Sequence, residues 1–459
     1  MAERAGQGAR VGDNGNGELA AALRQVVRPL HGSWDDFDPL LQLIGDARFV
    51  LIGEASHGTH DFYRVRAELT KRLIAERGFQ AVAVEGDWPD AYRVNRWVRG
   101  RSTETDAIDA LADFRRFPAW MWRNADVLDF IGWLREHNQR IGDDDDRVGF
   151  YGLDLYSLHA SIQQVLTYLD EHDPEAAERA RLRYACFDQF GEDPQTYGMV
   201  AGFGMNGSCE TEVVKQLIEL QRKRSEYLAR DGFSSADEAF HAEQNARVVR
   251  NAEQYYRTMF RARVSSWNVR DSHMADTLDA LALHLGARGE RGARIVVWAH
   301  NSHVGDARAT EMGGAGELNI GQLARERHPG ESVLIGFSTF DGSVTAATDW
   351  GEPAERKRVR PGLAGSYERL FHDVAVPRFL LLAHELGGLS ARLREPRLQR
   401  AIGVIYRPDT ERQSHYFHCR LPDQFDAVIH LDATRAVEPL ERSSQWVAEE
   451  VPETYPTGI

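Results

Sequence analysis

The sequence is poor in cysteine. Three occur in 459 residues, Cys186, Cys209 and Cys419, far apart and with no CxxC pair. This spacing reads as excluding a disulfide framework and a cysteine zinc site, and the odd count suits a reducing cytoplasm. Net positive charge is missing as well: Lys and Arg total 55 against 70 Asp and Glu, a formal charge of −15. That balance argues against a nucleic-acid binder, which needs clustered cations to release phosphate counterions, and against a polybasic membrane surface. No apolar run approaches the ~20 residues that span a bilayer. The N-terminal stretch, crowded with Gly, Asn and Asp, has no apolar h-region of a secretory signal, and a flexible tail over 1–17 is expected. The expectation is a soluble cytoplasmic protein that acts on a small molecule, with no nucleic-acid or membrane partner; oligomeric state is not readable.

What is abundant builds a core. With 42% hydrophobic and 10% aromatic residues, global disorder is excluded. Short apolar runs at 48–53, 81–84, 148–153, 295–298, 333–337, 379–382, 402–405 and 427–431 read as strands. Between the first two, Phe62, Val65, Leu69, Leu73 and Ile74 fall at helical spacing, and Gly78 supplies a stop. Strand–helix–strand favours a parallel sheet covered on both faces. The expected fold is α/β, with a mostly parallel sheet, helices on its faces and a long helical insertion. The expected division is a core at 18–158, the insertion at 159–290, core again at 291–310, an α+β segment at 311–375, the last core part at 376–440 and a tail at 441–459. Asp341-Gly342, between two β-rich runs, signals a hairpin. The basic cluster at 356–360 reads as a solvated loop, and the polar stretches at 406–408 and 412–416 as a lid-like loop.

Chemistry concentrates at strand ends. The first strand ends in Gly53-Glu54-Ala55-Ser56-His57-Gly58, the second in Glu85-Gly86-Asp87, the third in Asp154 and the fourth in His300-Asn301-Ser302-His303. In an open α/β sheet, ligands sit outside the carboxyl ends of the strands. Taken singly, Asp87 or Asp154 is an ordinary helix cap and a lone His an ordinary hydrogen-bonded residue. Four strand ends together aim ionisable groups at one rim. Imidazole titrates near neutrality, so His57 suits a base that takes a proton from water, with Glu54 or Glu85 fixing its tautomer. A fixed donor at the carbonyl oxygen completes an ester, lactone or amide hydrolase.

Other readings stay open. Ser56 lacks the G-x-S-x-G setting of a nucleophile elbow, because Glu54 stands where Gly is needed. Two His with one or two Glu would suit a divalent ion, although the three-residue spacing of His300 and His303 gives no H-E-x-x-H motif. No cofactor is expected, with metal as the unfavoured rival. A non-catalytic ligand-binding protein would use the same cleft. Around 267–274, Arg270 and Asp271 read either as a surface pair at a helix junction or, for Arg270, as an oxyanion contact. Arg64 and Arg66 read as exposed helix residues with a minority reading as site residues.

These motifs give the chain a resemblance to the erythromycin esterase family over about residues 30 to 440. It rests on Gly53-Glu54-Ala-Ser-His57-Gly58, Val84-Glu85-Gly-Asp87, Arg270-Asp271-Ser-His-Met274 and Trp298-Ala-His300-Asn-Ser-His303. The resemblance implies a three-layer α/β/α core with a helical insertion and a small α+β segment, and water-mediated opening of a macrolide lactone without a tightly bound metal. By motif position it implies a catalytic set of Glu54, His57, Glu85, Arg270 and His300, with His57 as base and Arg270 and the histidine pair polarising the substrate. His303, Arg64 and Asp154 are the expected substrate contacts. The stretch 58–62 departs from that of resistance-type members, and the closing segments resemble the broader chromosomal branch. The resemblance therefore speaks to hydrolysis more than to a particular substrate.

Overall fold

The computed structural model describes residues 16–190, 194–202, 208–231, 234–260, 263–287, 292–444 and 446. Residues 1–15 of the expected tail lie outside them, as does most of the stretch 441–459. Trp446 is buried, and its Nε1 donates to Thr345 Oγ1 at 2.9 Å.

The sheet has a parallel centre of six strands. These are β2 (Phe49–Ile52), β3 (Ala81–Asp87), β4 (Gly149–Asp154), β5 (Ile295–Trp298), β6 (Ser332–Ala346) and β11 (Ala427–Thr434). Their spatial order is β4-β3-β5-β2-β6-β11. The antiparallel strands β8 (Arg378–Leu382) and β1 (Arg28–Pro29) extend the β11 edge, while β9 (Arg397–Arg400) and β10 (Tyr416–Cys419) pair with each other in a separate antiparallel ladder. The chain leaves β2 toward β3 and β4, returns to β5, and then crosses to β6 on the other side of β2. That reversal makes a cleft at the carboxyl ends of β2, β5 and β3.

Alternate strand residues face two cores. Val50, Ile52, Val82, Val84, Val296 and Trp298 pack under the helix His60–Arg77, while Phe49, Leu51, Ala81, Ala83, Ile295 and Val297 pack against the helix Arg263–Gly286. Burial on both faces is why these strands are apolar throughout. The insertion builds its own core from helices including Leu158–His172, Glu210–Asp231 and Ser234–Met259.

Several details differ from the sequence reading. Cys186 and Cys209 are disulfide-bonded, with Cα atoms 5.9 Å apart, and Cys419 is free and buried. Helix packing in the insertion brings together two thiols that are 23 residues apart in sequence. There is no hairpin turn at Asp341-Gly342; β6 runs straight through. Gly342 takes φ +128°, and a Cβ there would lie 2.0 Å from the Thr434 carbonyl oxygen. The real antiparallel partner is β7 (Glu355–Val359), so the basic cluster is largely strand. Residues 402–405 form only isolated bridges, Ile402 with Ser56 and Ile405 with Ala347. The stretch 311–375 contributes β6 to the middle of the main sheet.

Candidate active site

Two close approaches shape the loop after β2. A Cβ on Gly53 would meet Asn301 Oδ1 at 2.1 Å, and one on Gly58 would meet the Thr345 carbonyl oxygen at 1.8 Å. The Gly58 carbonyl accepts from Thr345 N and Val437 N, both at 2.9 Å. Asn301 joins the strand ends: its backbone N donates to the Glu54 carbonyl at 2.8 Å, and its Nδ2 donates to the Phe337 carbonyl at 2.8 Å. The backbone around Glu54 and His57 is thereby fixed from three sides.

Glu54 is buried and holds His57 through Nδ1 at 2.9 Å. Its other oxygen lies 2.6 Å from Arg66, whose side chain is fully buried. The Arg66 guanidinium sits 4.4 Å from the Tyr63 ring and 5.1 Å from the Trp298 ring, a cation–π setting. With Nδ1–H committed to Glu54, the Nε2 lone pair of His57 is the one available to the cleft.

His300 packs beside it, ring centroids 4.9 Å apart. Its Nδ1 accepts from Ser302 N at 3.2 Å, which places the hydrogen of the neutral ring on Nε2. That Nε2 is buried and no hydrogen bond of ordinary geometry reaches it, although the Ala55 carbonyl lies near the ring. Burial, reinforced by the nearby His57, brings the His300 pKa down to about 3, so the ring is a neutral donor.

Glu85 is re-aimed by a register shift in β3 between Val84 and Asp87. Its Oε2 accepts from His300 N at 2.8 Å, and its Oε1 lies 2.7 Å from Arg270 Nη2 and 3.2 Å from His303 Nε2. Burial alone would raise its pKa, but His303, Arg270 and His57 outweigh that and hold it well below the usual carboxylate range. Arg270 also grips Asp154 with Nε at 3.0 Å and Nη2 at 2.6 Å, and lies over the Tyr156 ring.

His303 bonds Asp271 through Nδ1 at 2.9 Å and stacks on Trp267 at 4.6 Å. Burial would lower its pKa, yet the Asp271 and Glu85 carboxylates push it up to about 9. Charged at neutral pH, it donates from Nδ1 to Asp271 and from Nε2 toward Glu85 Oε1, while Arg270 Nη1, which has only hydrogens to offer, stands 3.1 Å from the same Nε2. The surface pair expected between Arg270 and Asp271 is not formed. Asp271 is buried under His303, and both residues lie within one continuous helix rather than at a junction.

The structure thus gathers Glu54, His57, Glu85, Asp154, Arg270, His300 and His303. Arg64 is not among them. It lies on the outer face of its helix, 40% exposed and 3.5 Å from Glu68. Arg66, two residues on, faces inward because it shares the stripe of Phe62, Leu69 and Leu73. Arg66, Asp271, Trp267 and Asn301 are the residues that strand-end reasoning missed. A charged residue on an apolar helical stripe was the available signal for the first two.

Two cavities meet at this centre. One, of about 420 Å³, is lined by His57, Glu85, Arg270, His300 and His303, with Gln413, Ser414 and Tyr416 from the polar loop on its far wall. The other, of about 190 Å³, shares His57, Glu85 and Arg270 and continues to Arg116, Trp122, Tyr156 and Trp350.

A doubly wound α/β protein with a carboxylate-held histidine at its switch point is the class this geometry defines. The sequence pattern of the erythromycin esterase family matches residues 74–434, and the chain belongs to that family. The matched residues include Glu85, Asp154, Arg270, His300 and His303; Glu54 and His57 precede them. Among curated relatives, erythromycin esterase type II of Escherichia coli is 29% identical over 123 residues, 27% of each chain. The type I enzyme of Escherichia coli is 22% identical over 66% of this chain and 73% of its own. The Bacillus subtilis (strain 168) protein YbfO is 21% identical over 89% of this chain and 90% of its own. A Bacillus cereus protein of solved structure superposes with a TM-score of 0.77 at 20% identity, covering 93% of this chain and 99% of that one. A mutant erythromycin esterase in an open conformation gives 0.64 at 17% identity, covering 89% and 97%. These structural likenesses concern the fold, while family membership supports a hydrolase. Among the described residues, no helix is long and apolar enough to cross a membrane.

Proposed function

We propose that the protein hydrolyses a carboxylic ester or lactone with water activated by His57. The observation that carries this reading is the pairing of His57, held at Nδ1 by Glu54 at 2.9 Å, with a neutral His300 whose ring centroid lies 4.9 Å away. One ring offers a lone pair and its neighbour offers a hydrogen. Water bound at His57 Nε2 attacks the acyl carbon as the ring takes its proton. The carbonyl π electrons move to oxygen, which accepts from His300 Nε2–H. As the tetrahedral species collapses, the C–O bond to the alcohol breaks and the His57 imidazolium returns its proton to the leaving oxygen.

Glu54 stabilises that imidazolium. Arg270 and His303 supply positive charge beside the developing oxyanion. General-base help is worth about 10²–10⁴-fold, and one preorganised oxyanion donor about 10²–10³-fold. Asp154 has both oxygens engaged by Arg270, so its role is to position that guanidinium. The reading uses no metal: both Glu85 oxygens are taken by Arg270, His303 and a backbone N–H. Two of those partners are cations that would repel a divalent ion.

The test is turnover of a panel of simple carboxylic esters and macrocyclic lactones, with products analysed by mass. Release of acid and alcohol, or gain of one water by a lactone, is expected. A panel left intact, with one member retained unchanged on the protein, would make the cleft a binding site instead.

A further inference from the structure

A third cavity lies next to the one that reaches the catalytic centre. It has a volume of about 1040 Å³ and lies between the insertion and the core. Arg116, Tyr156 and Trp350 belong both to its wall and to the wall of the small cavity that reaches His57, so the two adjoin across these side chains. Its lining is largely apolar, including Phe117, Leu158, Tyr255 and Met259. The polar groups at its neck are already engaged. Arg116 Nε bonds Asp87 at 3.0 Å, and its guanidinium lies over the Tyr156 ring at 4.6 Å; Tyr156 and Tyr255 hydroxyls meet at 3.2 Å.

Trp350 is an unusual feature of this neck. Its side chain is 58% exposed, on the loop between β6 and β7, and its ring meets Phe117 edge-on at 5.0 Å. A large aromatic left that exposed, at a junction of two cavities, has apolar surface to cover when a ligand enters.

From this adjacency we infer that the chamber beyond Arg116 and Tyr156 binds the larger, apolar arm of the scissile ester, and that Trp350 is a specificity-determining residue closing over it. This rests on the hydrolase reading above. The substrate class is an ester with one extended or bulky hydrocarbon arm, whose other arm occupies the more polar 420 Å³ side. Each methylene moved from water into the chamber should raise kcat/KM about fourfold until the chamber is filled.

The chamber can be filled without touching the core. Ala160, on the helix Leu158–His172, lines it and is exposed. Two substrate series separate the arms: p-nitrophenyl esters with acyl chains from acetyl to octanoyl, and alkyl acetates from ethyl to octyl. In one of them kcat/KM should climb with chain length, and Ala160→Trp should flatten that climb. Trp350→Ala should lower the preference for the longest member several-fold through KM. Chain-length slopes that are the same in wild type and Ala160→Trp, in both series, would overturn the assignment.

If no ester turns over, the hydrolase reading fails and the chamber is judged separately by titrating octanamide against tryptophan emission. A saturable change in wild type that Ala160→Trp abolishes upholds the chamber. No change in wild type overturns it.

Discussion

Replacing Arg66 by Met tests the foundation under His57. The Arg66 side chain is fully buried, 2.6 Å from Glu54 and flanked by Tyr63 and Trp298. Methionine keeps much of the volume and all of the apolar contact, so the loss is electrostatic. It leaves Glu54 as a buried carboxylate without its fixed cation, and breaking such a pair from one side costs about 3–5 kcal/mol. The double variant Arg66→Met/Glu54→Gln removes both charges and should regain most of that stability. It should not regain activity, because His57 then lacks the carboxylate that sets its tautomer and stabilises its cation; kcat should stay down by on the order of 10²–10⁴. Urea midpoints of wild type, both singles and the double close the cycle, and ester turnover is read on the same samples. A double variant as unstable as Arg66→Met, or an Arg66→Met protein with wild-type stability and rate, would refute the reasoning.

Three further outcomes follow from the site. His303 is charged below about pH 9, so activity should fall as pH rises through that value; Asp271→Asn, which removes the carboxylate 2.9 Å away, should move this alkaline limb to lower pH, and an unmoved limb in the pH–rate profile would contradict the assignment. Burial brings His241, His273 and His300 down to about 3, 4 and 3, so they stay neutral in the fold while the unfolded chain takes up protons below its ordinary ~6.5. Stability should therefore drain away as pH falls from about 6.5, by up to about 1.4 kcal/mol per pH unit for each; equal urea midpoints at pH 7 and pH 5 would count against it. His303 has the opposite sign: its contribution is complete below about 6.5 and is lost as pH rises through about 9. Gly58→Ala would force a methyl within 1.8 Å of the Thr345 carbonyl oxygen and part the backbone around the motif. A loss of about 2–4 kcal/mol is expected, from overpacking plus two weakened hydrogen bonds, readable as a lower Tm.

The sheet was legible because its central strands are buried on both faces and so stand out as short apolar runs. The rim was legible for a related reason: β2, β3, β4 and β5 each pass abruptly from apolar residues to Glu, Asp or His. Both signals are local. What stayed hidden depends on partners distant in sequence. The apolar stripe turns Arg66 and Asp271 inward, but that they meet Glu54 and His303 there depends on residues distant in sequence. The Cys186–Cys209 bond needs the helices of the insertion to bring two thiols together. Gly342 looks like a turn residue, yet it serves a strand crossing close to Thr434. Glu85 keeps its aim through a bulge that no periodicity reveals.

Chemical rescue of His57→Ala is the most direct measurement of the central claim. The rate should drop by about 10²–10⁴-fold with a small change in KM, and added imidazole should restore part of it in proportion to the free-base form. A His57→Ala protein that hydrolyses esters at the wild-type kcat would contradict the account.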